Sequence, residues 1–344
     1  MKLSRKCKSC LGAISMLFAL IAFQRCMHLL EVTYTSKVPY LQGDVMVYDE
    51  AVDLRIIILV ANRSKSLLRL LKSLNTALYM NDNIVINIWI DRSVDGSLDV
   101  ETYKIARSFK FIYGAKYVYI QTKHVGIFGQ WIHTWNFNAT SSEIAVILED
   151  DIEVSSFFYK WLKLVHTKYD KIENINGYSL HGTCENHDLS VPRKTYIEVP
   201  QTNKVFLYPA FNTWGFSPNK KHWIRFVKWA SSELKNKTFR PFVPNIAPTL
   251  WYKEAMRKGT ELNNWDMWHV YHAYVNRLFT MFPNIPGYLG FSVHWKEKGL
   301  HYGENMSKMP SGELLMEWMS QLENLPEHPI YLDFAGKHIN YTDF

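Results

Sequence analysis

Hydrophobic and polar positions alternate in two different ways along the chain. Near the N-terminus one apolar run covers residues 11–23, interrupted by Ser15 and closed by Gln24 and Arg25. Beyond residue 54, short apolar runs of strand length alternate with stretches of helical period. Strands are expected at 55–61, 84–90, 117–121, 144–148 and 178–180. Helices are expected at 66–77, where Leu67, Leu70, Leu71 and Leu74 share a face, and at 101–109, 129–136 and 156–168. After Pro200 the period blurs: a strand at 205–209, a turn at Trp214, Gly215 and Phe216, a helix at 221–231 and another opening at Trp265. Strand and helix in strict alternation predict an α/β fold, a doubly wound and mostly parallel sheet flanked by helices. In such sheets ligands sit beyond the carboxyl ends of the strands. Asn62 and Arg63 follow the first strand, Asp91 the second, and Glu149, Asp150 and Asp151 close the fourth, so all should face one crevice.

Composition narrows the class. With 344 residues, 47% hydrophobic and 21% charged, the chain can bury one large core or two modest ones, which excludes disorder as the main state. Sixteen Gly and 13 Pro are too few for collagen-like or low-complexity sequence. The excess of 39 basic over 32 acidic residues, net +7, is spread along the chain, and no zinc-finger spacing, basic helix or RNA-binding signature accompanies it. Nucleic acid is therefore not an expected partner. A nucleoside diphosphate would need only a few of these cations.

The N-terminal run is short for a bilayer span and lacks a small-x-small cleavage pair, so an uncleaved signal anchor is expected in preference to a cleaved signal peptide. Lys2, Arg5, Lys6 and Lys8 keep the tail ahead of it in the cytosol, giving a single-pass type II topology. Its shortness suits the thinner membranes of the early secretory route. Cys7 and Cys10 flank the run, Cys26 is juxtamembrane and Cys184 stands alone, which leaves no disulfide network. Five sequons, at Asn62, Asn138, Asn236, Asn305 and Asn340, are compatible with a lumenal chain.

Adjacent carboxylates at the end of an apolar strand repel each other and raise each other's pKa, a cost that a divalent cation removes. Hard ions such as Mg²⁺ and Mn²⁺ take carboxylate oxygens and keep positions open for phosphate. By itself Glu-Asp-Asp is also an ordinary surface tripeptide. Asp266, at the start of a helix, has the alternative reading of a charge that satisfies backbone donors. Trp214 can floor a sugar site or simply pack, and His294 and His301 can ligate a metal or make ordinary loop hydrogen bonds.

The stretch 146–158, Val-Ile-Leu-Glu-Asp-Asp-Ile-Glu-Val-Ser-Ser-Phe-Phe, resembles the metal and nucleotide motif of the mannoside β-1,2-N-acetylglucosaminyltransferase I family, inverting glycosyltransferases of GT-A fold. Ala-Asn-Arg-Ser at 61–64 and Ile-Asp at 90–91 resemble that family's first and second strand ends, and Trp-Asp-Met-Trp at 265–268 its Trp-Asp-x-Trp segment. Phe-Pro-Asn-Ile at 282–285 and Lys-Gly-Leu-His-Tyr-Gly at 298–303 are similar to two later segments, the second a loop that closes over the donor. The likeness runs in order over residues 55–305.

The resemblance implies that Asp151 ligates Mn²⁺ (or Mg²⁺), Asp150 holds the ribose, Glu149 lies beside the nucleotide, Arg63 contacts it, Asp91 reads uracil and Asp266 is the catalytic base. Chemistry agrees with the last assignment, since inversion needs one base opposite the leaving diphosphate and flanking tryptophans raise a carboxylate's basicity. Three features depart from the family. Its lumenal disulfides have no counterpart, Met267 stands where it has a second Asp, and residues 181–188 replace its acceptor loop, which makes Glu185 and Asp188 reserve candidates for the base. A glycan on Asn62 would block the crevice, so that sequon is expected to stay unmodified.

The expected organisation is a cytosolic tail (1–9), an anchor (10–30), a stem (31–53), a nucleotide-sugar-binding half (54–200), an acceptor and catalytic half (201–305) and a tail (306–344). The expected function is metal-dependent, inverting transfer of a sugar, N-acetylglucosamine by the resemblance, from a UDP-sugar to a glycan or glycoprotein hydroxyl at the Golgi membrane, with the ER as the other location. The alternatives are an inactive nucleotide- or glycan-binding relative and a GT-A transferase of another sugar.

Overall fold

The computed structural model describes residues 51–135, 141–182, 184–191, 196–297, 299 and 309–343, all within one unit that spans 48–344. The cytosolic tail, the anchor, most of the stem, His301 and the sequons at Asn138 and Asn305 lie outside the described residues. Among the described residues no helix is long and apolar enough to cross a membrane.

The first half of the sheet follows from three runs that are buried on both faces and a fourth that is not. β1 (Leu54–Val60) and β2 (Ile84–Ile90) are buried at every position, and β4 (Ile144–Glu149) is buried from Ala145 to Leu148. β3 (Gly114–Ile120) is half exposed and forms an edge. The connecting helices are α1 (Ser64–Leu74), α2 (Val100–Ser108) and α3 (Gly126–His133). Asp99 caps α2 by accepting from Thr102 N. All three pairings, β1 with β2, β1 with β4 and β2 with β3, are parallel.

Beyond β4 the chain builds β5 (Ile152–Val154), α4 (Phe158–Tyr169), β6 (Ile175–Ser179), β7 (Val205–Tyr208), β8 (Phe216–Pro218), α5 (Lys220–Glu233), α6 (Ala247–Arg257), α7 (Asp266–Val275), β9 (Phe279–Pro283), β10 (Ser292–His294), β11 (Ile330–Leu332) and β12 (His338–Ile339). The main sheet runs β12-β11-β7-β9-β6-β8-β4-β1-β2-β3. β8 enters antiparallel between β4 and β6, so the parallel character holds within β4-β1-β2-β3 and gives way to a mixed sheet beyond. Gly215, at φ +101°, makes the turn into β8. Residues 306–344, set apart as a tail on sequence, supply β11 and β12 to this sheet, and Leu315, Leu322 and Leu325 to its core. Apolar burial explains why they dock.

Three histidines are buried, His222 on α5 and His269 and His272 on α7, the last two packed against Phe226, Trp223 and Trp229. Burial lowers the pKa of each, His272 to about 4. The unfolded chain, with histidine near 6.5, takes up these protons first. Their contribution to stability is therefore complete above pH 6.5 and is lost as pH falls towards 4. Urea unfolding of wild type and His272→Phe across this range should show the variant sparing up to about 3 kcal/mol of that loss. Parallel curves would contradict the assignment.

Candidate active site

Strand register brings the expected residues together. Glu149 lies level with Leu59 on β1, and Leu59 with Trp89 on β2, so the carboxyl ends of the three strands finish flush. Arg63 follows β1 at the start of α1, and its guanidinium spans the acids that follow β4: Nη2 lies 2.5 Å from Asp150 Oδ1 and Nη1 donates to Asp151 Oδ2 at 2.9 Å. Asp150 is 1% exposed. Its Oδ1 has the Arg63 guanidinium as its ion-pair partner. Trp131 Nε1 on α3 donates to Glu149 Oε1 at 3.1 Å.

These groups strain against one another electrostatically. Burial raises all three carboxyls, with Glu149 at about 8 and Asp150 at about 7; the Asp151 charge pushes both further up while Arg63 opposes it. Burial alone would lower Arg63, but Asp150, Asp151 and Glu149 outweigh it and the net shift is upward. One buried and two half-buried acids against one guanidinium leave a deficit of positive charge.

Asp91 follows β2 as expected but spends its carboxylate on the chain itself. Its Oδ1 accepts from Arg92 N at 2.8 Å and Val125 N at 3.0 Å, and Oδ2 from Gly126 N at 2.8 Å, anchoring the start of α3. Gln130 then ties α3 to the strands through Trp89 O. Asp266 opens α7, half-buried, between Trp265 and Trp268, which are 2% and 3% exposed. Trp265 stacks on Trp131 at 4.2 Å and 23°. The start of α7 is thus joined to the acid triplet through two indoles and Glu149.

Later segments of the chain add neighbours, of which Trp295 and Glu297 carried no expectation from the sequence. β10 pairs antiparallel with β5, with His294 opposite Ile152, and Trp295 N donates to Asp151 O at 2.8 Å. His294 therefore sits on a strand beside the triplet, 3% exposed, stacked on Trp214 at 3.8 Å. Trp214 is half-buried and also meets His181 edge-on. Glu297 follows, held by Ser66 and by Arg69 Nη1 at 2.8 Å, and it adds a fourth negative charge near Asp150 and Asp151. A Cβ on Gly299 would lie 3.3 Å from Arg63 Nη1, so the backbone of the 298–303 motif approaches the cluster at the one motif residue described. Glu297 is 231 residues from Ser66, beyond the reach of any spacing argument. The reserve candidates lie in another loop: Glu185 bridges to Tyr196, and Asp188 bridges to Ile246 and accepts from Ser190 N.

Among the described residues no three His, Cys, Asp or Glu side chains form a ready metal cage. The donor set that is present, adjacent aspartates with Glu149 and Glu297 nearby and one guanidinium between them, fits a hard cation completed by ligand oxygens, the usual manner for Mg²⁺ and Mn²⁺.

No family model matches the sequence, and no curated protein does so at a significant level. Solved structures similar to this chain include S. aureus TarS 1-349, at 10% identity and TM-score 0.35, over 66% of this chain and 57% of that one. The match thus spans little more than half of the TarS structure. Mouse xyloside xylosyltransferase 1 in its apo form matches at 10% identity and TM-score 0.37, over 66% of this chain and 84% of its own. Scores of this size do not establish a shared fold.

Proposed function

We propose that the chain is an inverting glycosyltransferase that moves a sugar, N-acetylglucosamine by the family resemblance, from a UDP-sugar to a hydroxyl of a glycan or glycoprotein. The observation that carries this reading is Arg63 set between Asp150 and Asp151 at the flush carboxyl ends of β1 and β4, the place where open α/β sheets bind nucleotides. Asp151, with Asp150 beside it, is the group that would hold Mn²⁺ or Mg²⁺. A bound divalent cation there supplies charge neutralisation for the departing diphosphate.

The chain's own residues divide the remaining work. Arg63 and Asp150 hold the nucleotide, and Asp91 keeps the α3 end of the crevice in place through Val125 and Gly126. Asp266 accepts the proton of the acceptor hydroxyl as its oxygen bonds to the anomeric carbon. The bond from that carbon to the diphosphate breaks, and UDP leaves with the electron pair. Trp265 and Trp268, packed on Trp131 and Phe128, fix the start of α7 that carries this carboxylate. Residues 10–30 would anchor the enzyme in the Golgi membrane with its catalytic unit lumenal.

UDP release from a panel of UDP-sugars, with and without Mn²⁺, tests the reading. One UDP-sugar should turn over in a metal-dependent manner, and Asp151→Ala should lower the rate by about 10²–10³-fold. UDP binding with no transfer from any donor would instead favour an inactive nucleotide-binding relative.

A further inference from the structure

Two arginines of this sheet hold carboxylates in different ways. Arg55 is sealed in the core, 1% exposed, and gives two nitrogens to one acid, Glu143. Arg63 stands at the carboxyl ends of the strands with its side chain 26% exposed, and gives one nitrogen to each of two acids, Nη2 to Asp150 and Nη1 to Asp151. Its side chain makes no other hydrogen bond or ion pair among the described residues. A pair of the first kind belongs to the fold, because separating it strands charges in a dry core. A pair of the second kind opens onto water and can change partners, provided that another anion meets the guanidinium and another cation meets the acids.

Charge links these two exchanges. Arg63 brings one positive charge to a cluster in which Asp150, Asp151, Glu149 and Glu297 all act on it. While it lies on Asp151 Oδ2, it sets a like charge beside any divalent cation that takes the same carboxylate. A diphosphate arriving at the strand ends reverses this. It offers the guanidinium a charged acceptor that can be gripped with two nitrogens, and it brings the oxygens that a hard cation needs beyond the aspartates.

We propose that Arg63 is an exchangeable counter-cation, passing from Asp151 to the diphosphate as the metal binds, so that the site takes the metal and nucleotide together and discriminates against the free metal. The inference rests on the nucleotide reading given above and adds a binding order to it.

Thermal unfolding of the folded protein with Mn²⁺ alone, UDP alone and both together tests the exchange, since a ligand of the native state raises Tm. Wild type should be raised by the two together and little by Mn²⁺ alone at the same concentration. Arg63→Gln removes the resident charge and should be raised by Mn²⁺ alone, with an affinity for the free ion about tenfold or more above wild type. Adding Asp151→Ala to that variant should abolish the gain. Arg63→Lys keeps a cation in place and should resemble wild type towards free Mn²⁺. By reciprocity, the factor by which Mn²⁺ improves UDP binding should shrink in Arg63→Gln. Equal responses of wild type and Arg63→Gln to Mn²⁺ alone would overturn the exchange. Should Arg63→Gln not fold, wild type decides: stabilisation by Mn²⁺ alone as large as that by Mn²⁺ with UDP would overturn it equally. No response of wild type to Mn²⁺ and UDP together would overturn the nucleotide reading itself, and this inference with it.

Discussion

Asp266→Asn is expected to lower turnover by about 10²–10⁴-fold while leaving UDP affinity within a factor of about two, because a general base acts on the acceptor and not on the nucleotide. The substitution preserves shape, and it leaves Trp265 stacked on Trp131 and Trp268 packed near Phe128. Circular dichroism should therefore be unchanged. The competing role for this residue is a negative charge in the first turn of α7. In that case the variant would lose only about 0.3–1 kcal/mol of stability and keep its turnover. Steady-state kinetics beside an unfolding curve separates the two, and wild-type kcat in Asp266→Asn would end the assignment.

The largest expected effect on stability lies at the opposite end of the same strands. Arg55 and Glu143 are 1% and 7% exposed and meet in a two-pronged ion pair, Nε to Oε1 at 3.0 Å and Nη2 to Oε2 at 2.7 Å, with Trp135 Nε1 also donating to Oε1. Arg55→Met should cost about 3–5 kcal/mol, because it strands a carboxylate in the core. Replacing Arg55 and Glu143 together by Met and Leu should recover much of that loss, since a matched apolar pair avoids the desolvation of both charges. Urea denaturation midpoints measure both. A single variant within about 1 kcal/mol of wild type would mean that the pair contributes little.

The parts of this fold legible in sequence are those whose burial leaves a long signature. β2 matches its expected bounds at 84–90, and β1 and β4 differ by one residue, because continuous apolar runs of strand length between polar flanks suit doubly buried strands. Strands of two or three residues, such as β5, β8, β10 and β12, are too short for a period to show. They are held by partners far away in the chain, and β11 and β12 turn an expected tail into a sheet edge.

The site divides in the same way. Arg63 and the acids of β4 could be placed together by the rule for strand ends, since each follows a recognisable strand directly. What the rule cannot supply is the use to which a carboxylate is put. Asp91 occupies the expected strand end yet binds the backbone of 125–126, and Glu297 joins the cluster from a segment that no pattern ties to α1. Trp131, which links Glu149 to Trp265, is in sequence only one apolar residue of a helix.

The central claim is that the acids ending β4 and Arg63 form a nucleotide and metal site. Calorimetric titration of UDP into wild type and Asp151→Ala, each with Mn²⁺ and with chelator, tests it most directly. The account predicts Mn²⁺-dependent binding to wild type that weakens by about 10-fold or more in the variant. UDP binding that is equal in both proteins and indifferent to Mn²⁺, or absent under every condition, would contradict it.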